Sequence, residues 1–171
     1  MSAQSLAVID YRQVNSANPL LPQPSVLASN GWSQLHLEVF QQPKFEITEH
    51  QHTMHAIAYS PISANLPASS TGERWLDGQL CFERRHQGDV AIIPAGVAHR
   101  CNWNTSVQFV VLAIEPILLH QVAQDWVGDR IELIPQFMTQ SDLLIQGILS
   151  TLRDELEFNK MGSALLVDSL K

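Results

Sequence analysis

Only two cysteines, Cys81 and Cys101, occur in the chain, and they lack the CxxC spacing of a zinc ligand pair. A disulfide framework and a structural zinc site are therefore excluded as the basis of the fold. Free, buried thiols and a cytoplasmic location are expected. No apolar run approaches the ~20 residues of a membrane span, so no membrane partner is expected. The N-terminal stretch Met1-Ser-Ala-Gln-Ser-Leu6 has neither the basic nor the apolar region of a signal peptide. Basic residues are also scarce. Ten Lys and Arg against seventeen Asp and Glu leave a formal charge of −7, and the only basic cluster is Arg84-Arg85. A surface this acidic repels phosphate, which argues against direct nucleic-acid binding by this chain. Internal repeats, low-complexity tracts, a nucleophile elbow, a P-loop and a dinucleotide-binding glycine motif are all missing.

What is there divides by hydrophobic period. The 171 residues suit one domain, or one domain with an appendage. From about Val26 to Ile114 short apolar segments are broken by turn residues. Leu35, Leu37 and Val39 alternate with His36, Glu38 and Phe40, which predicts a half-buried strand ended by Pro43. Thr53 to Tyr59 reads as a second strand. Asp77-Gly78 supplies the positive-φ positions of a tight hairpin between Arg74-Trp-Leu and Gln79-Leu-Cys-Phe-Glu. Val90 to Ile93 and Ser106 to Ile114 are further strands. Many short, evenly spaced strands imply a sandwich or barrel.

After Glu115-Pro116 the period becomes helical. Pro116 fits a first helical turn, Ile117, Leu118, Val122 and Trp126 follow, and Gly128 is a stop. A second helix starts at Ser141-Asp142, with an apolar stripe of Leu144, Ile145, Ile148, Leu149, Leu152 and Leu156. After Gly162-Ser163 a third helix is expected to begin at Ala164, and its abrupt end at Lys171 suggests a longer native chain. Residues 1–114 are thus expected to form a barrel with an N-terminal arm, and residues 115–171 a helical packing and dimerisation segment.

The most informative segment is Gly88-Asp-Val-Ala-Ile-Ile-Pro94-Ala-Gly96-Val-Ala-His99. Gly88 turns the chain into a buried strand. Pro94 and Gly96 make a sharp connection, Gly96 taking the left-handed position. Strand alternation then places His99, Cys101 and Trp103 on one face and Arg100 and Asn102 on the other. The segment resembles the second motif of the cupin superfamily, Gly-x5-Pro-x-Gly-x2-His. The family's following Asn is replaced here by Trp103. Its first motif, His-x-His followed by Glu, is matched by His50-Gln-His52 but not by a carboxylate, because Ala56 and Ile57 stand in that region. The resemblance implies a mainly β, cupin-type barrel (a double-stranded β-helix, or jelly roll) followed by C-terminal α-helices.

The chain from about Leu27 to Leu170 is also similar to the N-terminal half of AraC-type transcription regulators. The resemblance lies in Asn30-Gly-Trp32, Trp75-Leu-Asp-Gly-Gln, the Gly88–His99 segment, Ser141-Asp-Leu-Leu-Ile and Ala164-Leu-Leu-Val-Asp-Ser-Leu170. It implies a sensor that binds a small-molecule effector, forms a homodimer, and reaches DNA only through an attached helix-turn-helix part that this sequence does not contain.

The candidate ligand-binding residues are His50, His52, Trp75, Phe82, His99 and Trp103, the aromatics being expected to line the barrel pocket. His50, His52 and His99 are also the candidate metal ligands, since neutral imidazoles on neighbouring strands suit a transition ion. With the carboxylate position apolar, no cofactor is expected, and the histidines are read first as groups that hydrogen-bond inside the barrel or contact a ligand. His55 differs in parity and should point outward. Arg84-Arg85 reads as a solvated pair at a strand end, with an anion site as the alternative. No catalytic residue is assigned. A stand-alone metal-dependent cupin enzyme, a dioxygenase or isomerase, is the competing reading.

Overall fold

The structure is a computed structural model that describes residues 5–127, 131–158 and 169. In chain order the elements are β1 (Ala7–Ile9), a 3-10 turn (Asn18–Leu20), β2 (Leu27–Ala28), β3 (Leu35–Gln42), β4 (Phe45–His52) and β5 (His55–Tyr59). There follow β6 (Ser69–Leu76), β7 (Gln79–His86), β8 (Asp89–Ile93), β9 (His99–Trp103), β10 (Val107–Ile114), α1 (Pro116–Val127), β11 (Gln136–Ser141) and α2 (Leu143–Glu157). The strands form two sheets, of order β1-β4-β9-β6-β7 and β11-β8-β5-β10-β3-β2. Every contact between neighbouring strands is antiparallel except β1 on β4. This is the expected mainly β barrel of cupin type, followed by helices.

The turn chemistry behaves as its residues dictate. Asp77 and Gly78 both have positive φ, 52° and 73°, and close the β6–β7 hairpin. Gly96 has φ 77°, and its N–H donates to the His52 carbonyl at 2.8 Å. That bond ties the Pro94–Gly96 turn to the end of the His50-Gln-His52 segment.

β3 is buried on both faces, which corrects the half-buried reading of Leu35–Phe40. Leu37 and Val39 pack outward with Tyr59, Val90, Val110 and Leu112 beneath Leu149 and Leu152 of α2. Phe40, Ala56, Ile93 and Val111 face the barrel interior. Glu38 on β3 is buried as well. Asp142 caps α2, accepting from the N–H groups of Leu144 and Ile145 at 2.9 Å. Leu144 is exposed and leaves the predicted stripe. The segment after residue 114 is not purely helical, since β11 adds a strand beside β8. The predicted stop at Gly128 and the predicted third helix from Ala164 lie outside the described residues. No helix among the described residues is long and apolar enough to cross a membrane.

Candidate ligand and metal site

The interior of the barrel holds a cavity whose space for water centres is about 60 Å³. A single water requires ~10–15 Å³ by the same measure, so the cavity suits an ion or a molecule of a few heavy atoms. The N-terminal arm supplies part of its wall. Ile9, Tyr11, Ala17 and Leu21 line one part, and Phe40, Phe45, Phe109 and Met138 supply apolar wall elsewhere.

His50, His52 and His99 meet in this cavity. Their ligand nitrogens lie within 4.8 Å of one another, and all three rings are buried. The ring of His99 is 4.0 Å from that of His50 and 4.7 Å from that of His52, between centroids. A backbone irregularity makes this convergence. On β4, Phe45 and Ile47 face inward, so simple alternation would turn His50 and His52 outward. The pairing of β4 with β9 shifts register between Ile47 and His50, and the extra residue reverses the inward parity. The same irregularity supplies a partner, because His50 Nδ1–H donates to the Thr48 carbonyl at 2.8 Å. That bond leaves the Nε2 lone pair of His50 available.

Burial holds all three imidazoles below the ordinary histidine range, His52 at about 3. The positive Arg74 lowers each further. They are therefore neutral at physiological pH, the form that ligates metals. Nδ1 of His52 and Nδ1 of His99 are buried without a well-formed hydrogen bond. Three neutral imidazoles that converge in one cavity, two of them with an unpartnered ring nitrogen, fit a borderline transition ion. Ala56 faces the same cavity, so no carboxylate joins the set.

The other sequence candidates divide. Trp103 lines the cavity and is buried. Trp75 and Phe82 do not line it. On β6 the inward parity belongs to Arg74 and Leu76, and Trp75 lies on the outer side, where Arg100 stands 5.3 Å from its ring centre. On β7 the inward parity belongs to Glu83 and Arg85, which leaves Phe82 66% exposed. His55 lies outside the cavity, as its parity predicts, and its Nδ1 accepts from the Ala95 N–H at 3.0 Å.

The solvated reading of Arg84-Arg85 is corrected for Arg85, which is fully buried. Its Nε donates to Glu83 Oε2, its Nη1 donates to the Asn102 carbonyl at 2.7 Å, and its guanidinium lies 4.1 Å over the Trp103 ring. Glu83 also accepts from Arg74 Nε and from the Met138 N–H, both at 2.8 Å. Sequence reading missed Arg74, Glu83 and the β11 contribution. The available signal was the alternation of Cys81, Glu83 and Arg85, which puts two charges on one strand face. Cys81 and Cys101 are free and only partly buried.

No protein-family model matches the chain, and no curated protein matches it. Solved structures similar to it include a cupin superfamily protein from Desulfitobacterium hafniense, at 11% identity and TM-score 0.42, over 52% of this chain and 74% of that one. A cupin domain from Bordetella pertussis is 16% identical, with TM-score 0.40, over 52% and 88% respectively. An oxalate decarboxylase from Bacillus subtilis is 15% identical, with TM-score 0.38, over 48% of this chain and only 21% of its own length. The cupin-type barrel described above stands on its own two sheets and on the Gly88–His99 segment.

Proposed function

We propose that this chain is a ligand-binding cupin domain that takes a small molecule beside His50, His52 and His99, and that it serves as the sensing and dimerisation half of an AraC-type regulator. The observation that carries the binding role is the barrel cavity, in which three buried imidazoles, Arg74, Tyr11 and Cys101 interrupt otherwise apolar walls. Such a site, apolar with a few convergent polar groups, suits small-molecule recognition. The regulatory half of the reading is supported by the sequence resemblance and by apolar side chains exposed on the helices, among them Trp126 and Leu143. DNA contact would fall to a separate helix-turn-helix part. The test is a titration of the protein with a panel of small neutral and charged compounds, followed through the histidine ring resonances by NMR. At least one saturable shift shared by the three rings is expected. No shift with any compound would overturn the binding role.

The three-histidine cluster favours a second reading, a metal-dependent enzyme. His50, His52 and His99 would hold the ion, which when bound would act as a Lewis acid toward a ligand. The chain's own contribution would be orientation and exclusion of water. The Thr48 carbonyl fixes the tautomer of His50, and the arm residues around Tyr11 line the cavity. Elemental analysis separates the readings. The sensor reading expects well under one equivalent of metal in protein purified without added metal. Near-stoichiometric metal, lost in a His52→Ala/His99→Ala double variant, would favour the enzyme.

A further inference from the structure

We propose that the barrel ligand is a small monocarboxylate with a short apolar tail, and that Arg74 is its counter-ion. This rests on the reading of the barrel as a small-molecule site and narrows it to a charge class. The argument begins with the charges in the barrel wall. Arg74, Arg85 and Glu83 are at most 3% exposed, and they sum to one surplus positive charge. Glu83 is fully engaged by Arg74, Arg85 and the Met138 N–H. A buried cation without compensation is costly, and arginine does not shed its proton to escape that cost.

The cavity meets only one of the two guanidiniums. Arg85 is held by Glu83, by the Asn102 carbonyl and by the Trp103 ring, with its Nη2 buried and unpartnered, and it does not line the cavity. Arg74 does line it. The residues paired with Arg74 on the two flanking strands are Cys81 and Cys101, not carboxylates. No acidic side chain lines the cavity among the described residues. A metal on the three histidines would add positive charge without a protein carboxylate to offset it. With or without metal, therefore, the missing partner is an anion. Guanidinium geometry suits a planar carboxylate. The rest of the wall, including Phe45, Phe109 and Met138, favours an apolar remainder over a hydroxylated one. A volume of a few waters limits that remainder to about three to five carbons.

The experiment compares butyrate with its neutral isostere butyramide, using the full chain in metal-free and zinc-loaded forms, by calorimetry and by the histidine resonances. Butyrate is expected to bind at least about tenfold more tightly in either form, as charge-assisted hydrogen bonding implies. In Arg74→Met the preference should vanish. That variant leaves Glu83 paired with Arg85, a balanced buried pair, so the fold should persist, and circular dichroism checks this. The preference test on the unmodified protein stands whether or not the variant folds. Equal binding of the two compounds would overturn the charge assignment while leaving the small-molecule reading intact. Binding of neither, alongside saturable shifts from other neutral compounds, would also overturn it. If no compound of any charge binds, the small-molecule reading itself fails, and the inference with it. The remaining rival for the counter-charge is Cys101, which stands opposite Arg74 in the β6–β9 pairing. A thiolate ultraviolet absorbance at neutral pH, lost in Cys101→Ala, would assign the role to the sulfur and overturn the proposal.

Discussion

Two glycines separate two physical reasons for the same residue. Gly96 has positive φ but open space around the position where a Cβ would stand. Gly72 has an ordinary φ, yet a Cβ there would run into the Asn102 carbonyl and lie 2.7 Å from Arg85 Nη1. Gly96→Ala should therefore cost about 1 kcal/mol of backbone strain, and Gly96→Val more, since β-branching tolerates the left-handed region poorly. Gly72→Ala should cost well over that, because β6 must separate from β9 and the Arg85–Asn102 hydrogen bond is disturbed. Thermal and urea melts of the three variants rank them; Gly72→Ala matching the parent would remove the close-approach argument. Glu38 supplies a pH test. Burial raises its pKa from 4.5 to about 7, partly opposed by the Asn15 backbone N–H, and Oε2 has no partner. The folded state then binds more protons than the unfolded state between those values. Glu38 consequently leaves stability intact below about pH 4.5 and removes it as pH rises through 7. The difference in urea midpoint between the parent and Glu38→Gln isolates this effect from the histidines. Glu38→Gln should gain on the parent from pH 5 to pH 8, and a constant difference would show that Glu38 does not titrate in this window.

Among the elements, those with short-range punctuation are legible in the sequence. Asp77-Gly78 announces its hairpin, Pro116 opens α1, and Asp142 caps α2. The Gly88–His99 segment combines turn residues with a buried strand, and it identifies the barrel. What escapes is whatever depends on pairing partners distant in sequence. The irregularity in β4 that turns His50 and His52 inward is set by register with β9 and has no glycine or proline to mark it. β1 and β11 are strands because a neighbour's edge is available, not because of a strong apolar alternation. Arg85 is buried because Glu83 precedes it by two residues and Trp103 lies beneath it, a contact that no local pattern encodes. The aromatic character of Trp75 and Phe82 is readable, but which face each occupies follows from strand parity. On α2 the packing permits a direct measurement. Leu149→Ala should cost about 2–5 kcal/mol, since Leu149 fills the layer between helix and sheet. Asp142→Ala should cost about 1 kcal/mol through loss of two capped N–H groups. Chemical denaturation of both should show the leucine change as the larger; the reverse order would mean that α2 is held by its end and not by its face.

At the scale of the whole molecule the open question is what the helices do beyond covering the sheet. Leu149 and Leu152 point into the barrel's outer layer, so they belong to the monomer. Replacing them with Glu would unfold the chain and not merely dissociate an assembly. The side chains left for a partner are different ones. Leu143 and Leu144, at the start of α2, are 83% and 74% exposed, and Trp126 on α1 is 87% exposed. Leu143 and Leu144 are adjacent, and a contiguous exposed apolar patch is a usual mark of an interface. A two-fold dimer is the expected arrangement, and it would also let attached DNA-binding parts meet paired half-sites. The informative variant is Leu143→Glu with Leu144→Glu. Both positions lie in the first turn of α2, where added negative charge is favourable to the helix, so the monomer fold should survive. Light scattering of the parent across a dilution series is expected to give twice the chain mass at high concentration. The double variant should give the mass of one chain at the same concentration, with an unchanged circular dichroism spectrum. A parent that stays at the mass of one chain throughout would rule out the dimer. A variant that remains dimeric would place the contact elsewhere on the barrel.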